Sequence, residues 1–243
     1  MIKSFIARLK QGYRTAPFPS ADLRLSPRFL GVPKIKSLKL DKAAAVCPYG
    51  AIKPGAGLDL GRCVFCGDCA KAAPEAVEFT RDYRLCSRKP GDLLVGREDY
   101  RRAEALGAEL RGIFGRSLRL RQVSAGGCGG CEADCNVLQT LGFDMGRFGL
   151  QFVASPRHAD GLLITGPVTK NMELALRKTY AAVPGPKVVI ACGTCAIAGG
   201  PYAGHGECAG IPQDIPVDLY IPGCPPNPWT ILDGLLRLVG RIP

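Results

Sequence analysis

Three cysteine-bearing turns constrain the fold of this chain more than any other feature. They are Gly126-Gly127-Cys128-Gly129-Gly130-Cys131-Glu132, Gly193-Thr194-Cys195 and Pro222-Gly223-Cys224-Pro225-Pro226. Glycine removes the β-carbon and permits positive φ, and proline stiffens the turn around it. A thiolate set in such open, rigid backbone has room to close on a bulky centre. The three turns are separated by core-like segments, so a site that used them all would be assembled from distant parts of the chain.

The intervening pattern supports that assembly. Ser117–Ser124 alternates apolar and polar residues as a strand does and leads into Cys128 and Cys131. Short apolar runs at Gly161–Thr165, Lys187–Ile190 and Val217–Ile221 read as further strands. Helical stretches are expected at Asp134–Leu141, 170–183 and 228–240. Alternating strands and helices predict a parallel α/β sheet, whose functional loops lie beyond the carboxyl ends of its strands. Cys128, Cys131, Cys195 and Cys224 would then meet at one edge of the sheet.

The supply of ligands narrows the chemistry. The 243 residues include 12 cysteines but only two histidines, His158 and His205. Neither histidine stands where a ligand is needed, so mixed Cys/His zinc sites are poorly supplied. Disulfides would require an oxidising compartment. The N-terminus, with basic residues inside its apolar run, shows neither a small-residue cleavage site nor a twin-arginine pair. A cytoplasmic protein with thiolate-only centres is expected, either iron–sulfur or all-cysteine zinc.

A second cysteine set lies upstream. Cys63-Val64-Phe65-Cys66-Gly67-Asp68-Cys69 has C-x2-C-x2-C spacing, with Cys47-Pro48 before it. A two-cluster bacterial ferredoxin carries two C-x2-C-x2-C-x3-C-P runs, and the fourth cysteine of each run serves the other cluster. Here the second run has Ala73 at its fourth position, and the first has Ser37, Leu40 and Ala43 in place of its first three. The surviving Cys47, Cys63, Cys66 and Cys69 are the complete set for one cluster, and the missing residues are the set for the other. One [4Fe–4S] cluster is expected on these four. Cys86 matches no ligand position and reads as a buried or idle thiol.

Around this set the chain resembles the two-cluster ferredoxin-like subunit of complex I, formate hydrogenlyase and membrane-bound hydrogenases. Leu25–Pro33 is similar to that family's entry segment, and Tyr49–Ile52 to its post-cysteine turn. From about residue 117 to 240 a second resemblance appears. Phe143–Gly149, Ala154–Asp160, Gly193–Gly200 and Pro216–Pro226 resemble the cluster-bearing small subunit of complex I and of membrane-bound, energy-converting group 4 [NiFe] hydrogenases. That family implies a flavodoxin-like fold and a proximal [4Fe–4S] cluster beside a large catalytic subunit, with ligand positions at Cys128, Cys131, Cys195 and Cys224. Complex I subunits place two adjacent cysteines at the first position, whereas Cys128-Gly129-Gly130-Cys131 has the hydrogenase spacing. Arg147 and Arg157 match family motifs and would lie near the cluster, near the subunit interface, or in surface ion pairs.

The expected organisation is an amphipathic helix and extended arm over 1–35 and a ferredoxin-like α+β domain over 36–98. A linker helix over 99–116 then leads to a flavodoxin-like domain over 117–243. The resemblances imply an electron-transfer subunit with two [4Fe–4S] clusters and no active site of its own. It would serve a partner large subunit carrying the nickel–iron site, alongside other ferredoxin-like or membrane subunits. The alternative is the equivalent subunit of a complex I-like quinone oxidoreductase, or of a hydrogenase-related complex without nickel–iron. No G-x-G-x-x-G or P-loop is present. Neither is a basic surface interleaved with aromatics, so nucleic acid is not an expected partner. The formal charge of +11 lies largely before residue 122 and suits an anionic membrane surface, an acidic partner or plain solvation. Ile2, Phe5, Ile6 and Leu9 fall at helical spacing among Lys3, Arg8 and Lys10, as in a helix lying on lipid or on a neighbouring subunit. Peripheral attachment to the inner face of the cell membrane is the expected location.

Overall fold

The computed structural model describes residues 2–20, 23, 25–97 and 100–243. Met1, three residues of the expected arm (Ala21, Asp22 and Arg24) and the pair Glu98 and Asp99 at the expected domain boundary lie outside the described residues.

A helix, α1 (Ile2–Gln11), opens the chain with no buried residue. The arm after it crosses to the far domain. Phe18 is buried against Tyr83, Phe148 and Trp229, with ring centroids 5.3–6.4 Å apart. Arg147 holds the arm there by donating to the carbonyls of Ala16 (2.8 Å) and Phe18 (3.1 Å). This arginine therefore serves as a clamp on the arm.

The first domain is α+β. Strands β1 (Pro33–Ile35) and β4 (Val77–Phe79) pair antiparallel, and β2 (Ile52–Lys53), β3 (Gly57–Asp59) and β5 (Leu94–Val95) form a second small antiparallel sheet. Helices α2 (Asp41–Ala45) and α3 (Asp68–Ala72) complete it. Leu40, Ala43 and Ala73, at the positions of absent cysteines, are buried with Leu58, Leu60 and Val77 in one apolar cluster. Hydrocarbon packing fills that region.

Among the described residues of the stretch 99–116, only Ala108–Phe114 is helical (α4). Ala103 and Leu106 before it are buried in the core of the second domain, so burial of the extended chain outweighs its charged, helix-prone composition.

The second domain is a five-stranded parallel sheet in the order β7-β6-β8-β9-β10. Its strands are β6 (Leu118–Ser124), β7 (Leu150–Phe152), β8 (Gly161–Thr165), β9 (Val188–Cys192) and β10 (Leu219–Ile221). Numbered within the domain this is 2-1-3-4-5, the flavodoxin-like order, with its switch point between β6 and β8. The remaining helices are α5 (Gly130–Val137), α6 (Lys170–Ala182), α7 (Thr194–Ala198) and α8 (Pro228–Leu238). β8 and β9 are buried along their whole length, as expected of strands covered on both faces. Leu163 and Ile190 pack with Cys135 and Leu235 on one side, while Leu162, Ile164 and Val189 pack with Leu176 on the other. β7 is an edge strand that local pattern did not suggest.

The two domains join along β10. Ser87 and Tyr220 exchange backbone hydrogen bonds of 2.8 and 3.1 Å, extending the sheet by one bridge. Beside it, Cys86 is fully buried. Its Sγ lies 3.3 Å from the carbonyl of Thr230, and a side chain at Gly234 would collide with it.

Candidate metal centres

In the first domain, Cys47 follows α2, Cys63 and Cys66 lie between β3 and α3, and Cys69 sits in α3. All four line one small pocket with Tyr49, Ile52, Leu58 and Phe79. Cys63 and Cys69 are buried and Cys66 is exposed at the rim. Phe65, at φ +56°, bends the loop so that its N–H donates to Cys63 Sγ at 3.3 Å. Burial pushes the Cys63 thiol up to about 12; the Phe65 N–H opposes this, and Cys69, Cys47 and Cys66 add to it. Burial also raises Cys69, against the N–H of Ala70. Thiolates here need a compensating positive charge.

In the second domain, Cys128 lies in the loop after β6, Cys131 in the first turn of α5, Cys195 in α7 after β9, and Cys224 in the loop after β10. α5 begins four residues before the stretch expected from sequence, which brings Cys131 into the helix. The loops interlock: Gly193 N–H donates to Ile221 (2.8 Å) and Thr194 N–H to the Gly223 carbonyl (2.9 Å). Gly193 has φ +93°, and a β-carbon on it would stand 2.5 Å from Cys131 Sγ. Burial raises Cys131, reinforced by the charge of Glu132 and then by Cys195, Cys135 and Cys224. Burial raises Cys195 to about 11, and Cys224 and Cys128 contribute. Cys224 is raised by burial and by Cys128. The four thiols thus stand on interlocked turns at the carboxyl ends of β6, β9 and β10, with the Gly193 turn packed on Cys131 Sγ.

The donor sets fit an iron–sulfur centre. Each is four cysteines, and each has buried thiols that favour a cationic partner. Among the described residues, no three or more His, Cys, Asp or Glu side chains are gathered tightly enough to hold a single metal ion. Both histidines are exposed, and His205 Nδ1 only accepts the N–H of Glu207 at 3.2 Å. Arg157 is exposed. Cys135 and Cys192 are fully buried in the core, and Cys208 is partly buried.

Two residues escaped the sequence reading. Glu132 accepts hydrogen bonds from Thr165 Oγ1 (2.6 Å) and Ser124 Oγ (2.7 Å). Burial works against its charge, yet these hydroxyls hold its carboxyl below the usual range. Its position next to Cys131 was the available signal, but its partners come from two separate strands. Thr194 donates its hydroxyl to the Cys63 carbonyl at 2.9 Å and so touches the first site from the second. No local pattern could have shown this.

The fold defines a flavodoxin-like domain whose cysteine-bearing turns gather at the carboxyl ends of its strands, with a pocket lined by four further cysteines in a smaller domain beside it. Residues 128–238 match the sequence model of the NADH ubiquinone oxidoreductase 20 kDa subunit. The probable membrane-bound hydrogenase subunit mbhJ of Pyrococcus furiosus is 39% identical over 150 residues, covering 61% of this chain and 90% of that protein. The chain belongs to the NADH ubiquinone oxidoreductase 20 kDa subunit family and is of the oxidoreductase-subunit class. Among solved structures, a chain of the archaeal membrane-bound sulfane sulfur reductase is 35% identical, with 54% of this chain and 73% of that one aligned at a TM-score of 0.47. A chain of an NAD+-reducing [NiFe]-hydrogenase is 25% identical, with 50% and 92% aligned at 0.35.

Proposed function

We propose that the chain is an electron-transfer subunit of a membrane-associated, energy-converting [NiFe] hydrogenase complex. In this reading Cys47, Cys63, Cys66 and Cys69 hold one [4Fe–4S] cluster, and Cys128, Cys131, Cys195 and Cys224 hold a second. When bound, such clusters supply one-electron redox couples. The chain's own residues fix the thiols on rigid turns and bury Cys63, Cys69 and Cys195 of them. The observation that supports the reading is that Cys47, Cys63, Cys66 and Cys69 line one pocket while the turns bearing Cys128, Cys131, Cys195 and Cys224 interlock beside it, joined by the Thr194–Cys63 hydrogen bond.

Cys128, Cys131 and Cys224 stand partly or fully exposed, as suits a face that meets a large partner subunit bearing the nickel–iron site. The N-terminal domain resembles a separate ferredoxin-like subunit and is proposed to be fused here as the entry or exit for electrons. Helix α1 is proposed to lie on the membrane. It exposes Ile2, Phe5 and Leu9 beside Lys3, Arg8 and Lys10 and contains no acid. No helix among the described residues is long and apolar enough to cross a bilayer.

A complex I-like quinone reductase is favoured by the family's own description, and the hydrogenase reading by the Cys128–Cys131 spacing. Two C-x2-C pairs in the partner large subunit would decide for the hydrogenase. Iron and sulfide analysis with EPR of the anaerobically purified, dithionite-reduced chain tests the cofactors. About eight iron atoms per chain are expected from two [4Fe–4S] sites. Zinc without sulfide would overturn the reading.

A further inference from the structure

Thr194 lies between Gly193 and Cys195 and has no exposed surface. Its Oγ1 stands 2.9 Å from the carbonyl oxygen of Cys63 and 3.1 Å from that of Gly223. A hydroxyl has one proton to give. The Gly223 carbonyl already accepts the N–H of Thr194 itself at 2.9 Å, which leaves the hydroxyl proton for Cys63. Among the described residues, this is the one hydrogen bond that runs from the loops of the second cysteine set to a cysteine of the first.

The packing around it is dry. Ile197, one turn further along α7, packs on the first domain's apolar core, as does Tyr220. A side chain at Gly61, two residues before Cys63, would meet Ile197 Cγ2 at 2.9 Å. Cys63 and Cys195 are themselves 7% and 8% exposed, so no water layer separates these backbones at the junction. An unpaired carbonyl in such surroundings is costly, which fixes the hydroxyl in place.

We propose that Thr194 is a positioning residue that couples the two cysteine sites. Its hydroxyl ties the main chain of Cys63 to the turn carrying Cys195, and its N–H ties that turn, through the Gly223 carbonyl, to the one carrying Cys224. From Cys63 Sγ to Cys195 Sγ the connection is then covalent except for this single hydrogen bond. One electron crosses per event, oxidising one centre as the other is reduced, and the proton stays on Thr194 Oγ1. The inference rests on the reading that both sites hold iron–sulfur centres.

The test compares the full-length chain with Thr194→Val, which keeps the shape and loses the donor, and Thr194→Ser, which keeps the donor. Iron and sulfide are counted first, and electron redistribution between the two EPR signals is then followed by freeze-quench after a flash from a photoreductant. Redistribution in Thr194→Val is expected to slow by roughly tenfold, within the range by which substitutions along a coupling network alter coupling. Thr194→Ser is expected to keep the wild-type rate. A wild-type rate in fully loaded Thr194→Val would overturn the proposal and leave the two-cluster reading standing. A wild-type chain lacking iron would instead overturn the reading beneath it. Should Thr194→Val fail to fold, Thr194→Ala against Thr194→Ser makes the same comparison, and equal rates in that pair overturn the proposal.

Discussion

Gly193 presses directly on Cys131: the space of its missing β-carbon is taken by the Cys131 sulfur, 2.5 Å from where that carbon would be. Its backbone, at φ +93° and ψ 151°, also lies in a region that only glycine occupies freely. Gly193→Ala is therefore expected to cost about 1–3 kcal/mol through the backbone and to displace Cys131. The loaded chain should fall from about eight to about four iron atoms and lose one EPR signal while keeping the other. Full iron in this variant would remove Cys131 from the candidate ligand set.

Cys47 and Cys86 make opposite predictions although both belong to the first half of the chain. Cys47 lines the pocket of the first cysteine set, whereas Cys86 is buried against Gly234 and Thr230. Cys47→Ala should abolish one EPR signal and remove about four iron atoms. Cys86→Ala should leave iron unchanged and lower the unfolding free energy by about 1–2 kcal/mol, the range of a small cavity in a core. Iron loss in Cys86→Ala would give that thiol a ligand role.

These residues show what a linear reading can reach. The strands leading to Cys128, Cys195 and Cys224 were legible because each is an alternating or apolar run closed by a glycine or proline turn, and both signals are local. That Cys47, Cys63, Cys66 and Cys69 come together at one pocket was legible for the same reason, as a matter of spacing. The short edge strand Leu150–Phe152 was not, since three residues carry too little alternation. The stretch 99–116 looked helical from its composition, but Ala103 and Leu106 are drawn into a core formed by residues far away in sequence. The places of Cys86, Glu132 and Arg147 rest on partners 144, 33 and 131 residues distant, and no window along the chain contains them.

Glu132 predicts a pH effect. Thr165 and Ser124 hold its folded-state carboxyl below the ordinary value of 4.5, despite burial. A depressed carboxylate contributes stability that is fully present above the unfolded value and is lost as pH falls through the folded one. Wild type should thus exceed Glu132→Gln in melting temperature near neutrality, and the gap should close as the pH drops below about 4.5. A gap that widens in acid would contradict the assignment. Because the charge lies beside Cys131, the same substitution should also raise the reduction potential of the centre on the second cysteine set, measured by EPR-monitored titration.

Helix α1 carries its apolar residues to the surface, with Ile2 77%, Phe5 65% and Leu9 69% exposed. Arg8 stacks 3.4 Å over the ring of Tyr13, and Lys3 and Lys10 add to the positive edge of the helix. With only cations along it, the helix suits an anionic lipid surface better than a neutral one. The full-length chain should sediment with vesicles containing phosphatidylserine, less so with phosphatidylcholine alone, and detach as salt rises and screens the attraction. Phe5→Ser gives up about 1.5–3 kcal/mol of burial and should weaken partitioning by roughly tenfold or more. Lys3→Glu with Lys10→Glu should abolish the preference for anionic lipid while leaving the iron content untouched. Equal binding of wild type and Phe5→Ser would instead assign this face to a protein neighbour within the complex.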